Sequence, residues 1–170
     1  KSDLAVNEYI LWTSDENIKT KASAFNALAQ SGSPLAYQVL LKAANSFQYR
    51  WERTGATSAL LNYAKIVAQN GDIKTMDKIC NLLINKCNDK STFQNKTAAL
   101  EIYVSFHGIK AMPVILKAAA HADGKYRNAA INMTALIQSN EVVKRWIDFF
   151  PKSLPVAKPE IILMLGYRRD

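Results

Sequence analysis

Three sets of residues in this 170-residue chain have types and spacings suited to chemistry. The densest is Phe47-Gln48-Tyr49-Arg50-Trp51-Glu52-Arg53, where aromatics and arginines are interleaved. Trp, Tyr and Arg dominate binding hot spots because each brings a large contact area and a polar handle. The same residues also suit a helix start anchored on the core. Tyr49, Arg50, Trp51 and Arg53 are therefore candidate binding residues, with both readings open. The second set is a ladder of cations, Lys21, Lys96, Arg127 and Lys158. One cation per structural repeat would track a polyanion, but a cation at a repeating inner position is first a packing feature of the repeat. In the third set, Asn26, Glu101 and Asn132 lie five residues beyond Lys21, Lys96 and Arg127, and Asn62 holds the same place beyond Thr57. At 100° per residue that is about 140° round a helix, and these are polar positions on otherwise apolar helices: a wetted face or a binding groove.

Nothing else points to catalysis. A nucleophile elbow, a phosphate-cradling glycine loop, a paired-histidine helix and a dinucleotide fingerprint are all missing from the sequence. His107 and His121 each fall where a helix is expected to end and suit capping or solvation there. Glu101 and Asp148 have no sequence-local partner for acid or base work. Cys80 and Cys87, seven apart on one helix, would stand about 10 Å apart along its axis, too far for a disulfide. They read as small buried apolar residues. No metal-ligand spacing occurs, so no metal or other cofactor is expected. The excess of 22 Lys+Arg over 14 Asp+Glu, net +8, permits a polyanionic partner, yet the charges are thinly spread, as on a solvated surface. Lys, Asn, Asp or Glu interrupts every apolar run, so no membrane span is expected. The compartment stays open between cytoplasm and export.

The elements that must position these residues read as helices throughout. Apolar spacing of three and four marks 4–12, then 16–31 with Ser14 or Asp15 as cap and Gly32 as terminator. Ser33-Pro34 opens 35–45. The text from 47 to 70 reads as one long helix that Thr54-Gly55 could break, closed by Gly71. Ile73 to Cys87 is amphipathic. A helix capped by Ser91 runs to His107, and 109–121 follows with Pro113 in its first turn or at a kink. Helices at 126–138, 141–150 and 160–165 complete an all-α chain.

The helices repeat. Ile73-Lys74-Thr75-Met76-Asp77-Lys78-Ile79 and Ile109-Lys110-Ala111-Met112-Pro113-Val114-Ile115 share I-K-x-M-x-x-I, which makes Leu40, Ile79 and Ile115 equivalent. A period near 40 built of two helices is a solenoid signature. The partner helices carry Ala24-Phe25-Asn26, Leu60-Leu61-Asn62, Ala99-Leu100-Glu101, Ala130-Ile131-Asn132 and Ile161-Ile162-Leu163 in register, with the cation ladder five residues before the third member and Thr57 at the one non-basic rung.

Arg127-Asn128-Ala129-Ala130, Lys96-Thr97-Ala98-Ala99 and the Gly108-to-Leu116 turn with its Pro113 resemble the HEAT (armadillo-type) repeat family. The resemblance covers nearly all of residues 1–170. It implies a single domain of about five helix pairs in a right-handed superhelix, ladder cations that hold repeats in register, no catalytic residues and no cofactor. It further implies a scaffold or protein-interaction module, as in bacterial multidomain proteins where such repeats sit beside catalytic domains, some of them exported and sugar-acting. The partner would be another protein or a neighbouring domain of the same chain. The alternative is nucleic-acid binding, as in the HEAT-like DNA alkylation-repair glycosylases, although no position here matches their catalytic carboxylate. Ile161-Ile162-Leu163-Met164-Leu165 is apolar all round where a terminal repeat needs a polar face, so a segment of a longer protein is expected.

Overall fold

The computed structural model describes residues 3–168, and all regular structure among them is helical. In order the helices are α1 (Asp3–Trp12), α2 (Ile18–Ser31), α3 (Pro34–Ser46), α4 (Ala56–Gln69), α5 (Ile73–Lys86), α6 (Phe93–His107), α7 (Met112–Ala119), α8 (Gly124–Asn132), α9 (Glu141–Phe149) and α10 (Lys158–Tyr167). Short 3-10 turns lead into α7, follow α8 and join α9 to α10. The chain divides into two compact units, Lys1–Ala99 and Leu100–Asp170, and the division falls within α6.

In the first unit α1 packs on α2 and α3, while α4 packs on α2, α3 and α5. The helix ends follow local chemistry. Asn17 caps α2, its Oδ1 accepting from the Lys19 and Thr20 amides. Asp15 serves one step earlier, accepting from the Asn17 amide at 2.7 Å, so the helix starts later than a Ser14 or Asp15 cap would allow. Gly32 ends α2 in the left-handed region at φ 61°, and Ser33 with Pro34 starts α3. Asp72 caps α5, and the hydrogen bond it accepts from Thr75 holds its carboxyl below the ordinary carboxylate range. The turn before α6 is built on Asp89: its side chain accepts from the amide and the hydroxyl of Ser91, so Ser91 is held by the turn and does not cap the helix.

The largest departure from the sequence reading is at residues 47–55, which are loop where a helix was expected to run. Gln48 and Tyr49 both have positive φ, 53° and 59°. The Tyr49 amide reaches back to the Ala44 carbonyl and the Gln48 amide to that of Asn45. That pair of bonds is a Schellman C-cap with Gln in the usual glycine position. At the end of α4 the same two bonds recur, from Asp72 to Val67 and from Gly71 to Ala68, with glycine in the left-handed place.

In the second unit α7 packs on α8 and α9, and α10 packs on α8. Pro113 lies in the first turn of α7, where its missing N–H costs nothing. Asp123 caps α8 through the Tyr126 amide. Trp146 is the largest fully buried side chain. Its ring meets Phe149 edge-on at 5.8 Å between centroids, and its Nε1 finds no hydrogen-bond partner among the described residues.

The residues aligned by the sequence register share their burial. Leu40, Ile79 and Ile115 are all fully buried, and so are Ala44, Leu83 and Ala119, each four residues on. On α2, α4, α6 and α8 the first two members of each triplet are buried, and the third, Asn26, Asn62, Glu101 or Asn132, is exposed or partly exposed. α10 departs: Ile161 and Met164 are buried, but Ile162 and Leu163 are 59% and 58% exposed. Contrary to the expectation from interrupting charges, the run Phe93–Ala119 is long and apolar enough to cross a bilayer by length and composition. Its left-handed Gly108 and the buried Leu100, Val104, Met112 and Ile115 give it the character of core helices as well.

Candidate functional site

The 47–55 loop is held at two points and projects between them. Tyr49 is buried, which pushes its phenol pKa up, and its carbonyl accepts a hydrogen bond from Asn95 Nδ2 at 2.6 Å. Glu52 fixes the other side. One carboxylate oxygen accepts from the Thr54 amide and hydroxyl, and the other accepts from the Ala56 amide at 2.6 Å. The Gly55 that precedes α4 has no side chain to cap it, so Glu52 supplies both the acceptor and the negative charge that a helix N-terminus favours. Left-handed backbone at non-glycine residues costs about 1–2 kcal/mol each, and such strain clusters at binding and catalytic sites.

Between those anchors Arg50, Trp51 and Arg53 point outward, and Trp51 is 79% exposed. Arg50 makes one loose ion pair, 3.8 Å to Asp89, with both side chains more than half exposed. A pair of that kind contributes little, so the guanidinium stays available. Below Trp51 a narrow polar cleft of about 40 Å³ is lined by Arg50, Thr57, Ser91, Gln94 and Asn95 among others. The volume holds one small polar group. Thr57 is one of the lining residues, and its buried Oγ1 has no hydrogen-bond partner among the described residues. The geometry is that of an exposed aromatic and a cation beside a small polar socket, whose Glu52 carboxylate and Ser91 hydroxyl are both engaged in the turns around it.

The other candidate residues divide. Lys96 is buried, and its Nζ donates to Asn88 Oδ1 at 2.8 Å. Arg127 is 7% exposed; it makes a bidentate pair with Glu160, Nε to Oε2 at 2.8 Å and Nη2 to Oε1 at 2.9 Å, and Nη1 donates to the His121 carbonyl at 3.1 Å. The adjacent carboxylate raises the guanidinium's already high pKa. Lys158 lies over the Phe150 ring at 5.4 Å, and Lys21 lines a separate cavity beside α2 and α3. Among Asn26, Asn62, Glu101 and Asn132, the Asn132 amide bonds Asn128 on its own helix and the rest line no part of the cleft. His121 Nδ1 accepts from the Asp123 amide, so its ring serves the turn before α8, and Arg127 Nη1 binds the His121 and Ala122 carbonyls of that same turn.

Sequence reasoning named Tyr49, Arg50, Trp51 and Arg53, which lie on this loop, and named Thr57 only as a rung of the ladder; it did not single out Glu52 or Asn95. The one local signal was a carboxylate four residues before Ala56 with glycine between, Glu52-Arg53-Thr54-Gly55-Ala56. Asn95 lies 46 residues from Tyr49, and no spacing announces that contact. Comparison of the chain with protein-family models, with curated proteins and with solved structures finds no match in any of the three.

Proposed function

We propose that this chain is a non-enzymatic interaction module built of HEAT-like helix pairs, which engages a protein partner or a neighbouring domain through Trp51 with Arg50 and Arg53. The observation that carries this reading is the exposure of Trp51 on a loop whose two flanks are pinned. A large aromatic held ready in water, beside two arginines, is what a hot-spot centre needs. Support for the helix-pair reading comes from packing: helices two apart in sequence touch, α1 with α3 and α2 with α4 in the first unit, α7 with α9 and α8 with α10 in the second. Nucleic-acid handling is the rival. It asks for a free basic stripe, and two of the four ladder cations are bonded inside the fold, which weighs against it.

The test is affinity capture from the source cells with three baits: the native chain, Trp51→Ala, and Arg50→Ala with Arg53→Ala. The side chains are exposed, so thermal melts of the three should agree. The reading expects a protein retained by the native bait and reduced about tenfold or more by Trp51→Ala, as loss of a hot-spot residue worth about 2 kcal/mol requires. Capture of the same proteins by all three baits would sink it. Retention of duplex DNA with a steep salt dependence would favour the rival.

A further inference from the structure

The cavity that Lys21 lines is independent of the Trp51 projection. It measures about 440 Å³ and opens between α2, α3, the turn after α1 and the ends of the 47–55 loop. That is the size of a small-molecule site. Its apolar part is made by Phe25, Val39, Ala43 and Phe47.

The polar part is one-sided. Lys21 and Lys42 both line the cavity, no Asp or Glu does, and neither lysine has a hydrogen-bond or ion-pair partner among the described residues. Of the carboxylates nearest in sequence, Asp15 is committed to the Asn17 amide and Glu52 to Thr54 and Ala56, while Glu16 is exposed ahead of α2 and does not line the cavity. Of the lining hydroxyls, Thr13 donates to the Ile10 carbonyl, Ser46 to the Ala43 carbonyl and Thr54 to Glu52. Their protons are spent. The donors left to face a ligand are two ammonium groups and the Ser14 hydroxyl, while the Thr13 and Ser46 oxygens keep lone pairs to accept. Within its ladder, Lys21 lacks the hydrogen bonds that hold Lys96 and Arg127 inside the fold, and it lacks the ring contact that Lys158 makes with Phe150.

We infer that this cavity is a binding site for an organic carboxylate with a ring-sized apolar body. The anion sits between Lys21 and Lys42 with help from Ser14, and the body rests against Phe25, Val39 and Phe47. Such a group has two sources, a free small acid or the acidic residue of a peptide.

An NMR titration of the whole chain separates the outcomes, using naphthoate, its neutral amide naphthamide and a blocked Phe-Glu dipeptide as probes. The site predicts saturable naphthoate shifts at Ser14, Phe25, Val39 and Ala43. Naphthamide should bind about tenfold more weakly, and Lys21→Gln with Lys42→Gln should bring naphthoate down to that level, as expected for lost hydrogen bonds to charged groups. Both lysines reach the surface, so the double variant should fold; Val39→Trp, which fills the cavity, gives a second route to abolishing the shifts. If the dipeptide binds more tightly than naphthoate, the ligand is a peptide carboxylate, and the reverse order assigns it to a free acid. Equal affinity for naphthoate and naphthamide, shifts confined to other parts of the chain, failure of both anions to bind, or indifference to the lysine substitutions would each overturn the inference. None of these results depends on Trp51.

Discussion

Replacing Glu160 by Ala tests whether a ladder cation is a structural device. Arg127 is 7% exposed and donates two charge-assisted bonds to Glu160, whose side chain is 22% exposed. Each such bond contributes about 1.5–3 kcal/mol, and breaking a buried pair by removing one partner costs about 3–5 kcal/mol because the other charge is left behind. Water reaches the Glu160 side, which puts Glu160→Ala near the low end, about 3 kcal/mol. Arg127→Met should cost a similar amount, since it also frees the carbonyls of His121 and Ala122. The double variant, Arg127→Met with Glu160→Ala, should cost clearly less than the sum of the two. The assay is a double-mutant cycle on urea midpoints, with near-ultraviolet signals from Trp146 and Tyr126 reporting the second unit. A coupling of about 2 kcal/mol is expected. Additive single costs below about 0.5 kcal/mol would refute the reasoning, and would return Arg127 to the pool of cations available to a polyanion.

Cys80 and Cys87 are free and buried, and burial pushes their thiol pKa values from 9.0 to about 12 and about 11. Raised folded values mean that this stability is complete below the ordinary thiol pKa and is lost as pH climbs through 11 and 12. Urea midpoints should therefore fall on the alkaline side of pH 9, and disulfide-exchange reagents should label the native chain slowly at pH 8; prompt labelling would contradict this. Gly32→Ala combines a left-handed φ of 61° with a Cβ only 2.8 Å from Asn70 Nδ2, whereas Gly55→Ala, at φ 69°, meets open space. The first should cost about 1 kcal/mol more than the second, whose cost is the left-handed backbone alone. Gln48→Gly should stabilise by about 1 kcal/mol by removing the same backbone penalty, read as a higher melting temperature. Thr57→Val should raise stability by about 1 kcal/mol, because it removes a buried hydroxyl without a partner; a loss of that size would mean that the hydroxyl is satisfied.

What could be read without coordinates was the helical class and where the local backbone turns. Helical spacing, Gly32, Ser33-Pro34, Gly71 and Pro113 each announce a local backbone demand, and the structure places all of them at helix ends. The burial of Leu40, Ile79 and Ile115 follows the motif match. The stretch that failed, 47–55, failed for a physical reason. α3 is closed by a Gln in the left-handed region, and a terminator without glycine leaves no mark in composition. The loop's other anchors are a carboxylate reaching forward four residues and an asparagine on α6, and only the folded chain brings that asparagine to Tyr49. The cation ladder was visible as spacing, while its division into bonded Arg127 and unbonded Lys21 depends on where Glu160 and the α2 cavity fall.

The pinning of the 47–55 loop bears on how quickly anything can associate with it. A flexible recognition segment must be ordered at the moment of capture, and that cost lowers affinity and adds a concentration-independent step to the kinetics. Here the backbone on both sides of Trp51 is fixed before a partner arrives, by Asn95 at the Tyr49 carbonyl and by Glu52 at the mouth of α4. Association should be a single bimolecular phase limited by collision in the right orientation, with complex lifetime carrying the differences between partners. Cutting one tether, as in Asn95→Ala, leaves every contacting side chain in place, yet it should slow capture and introduce a rate that no longer rises with partner concentration.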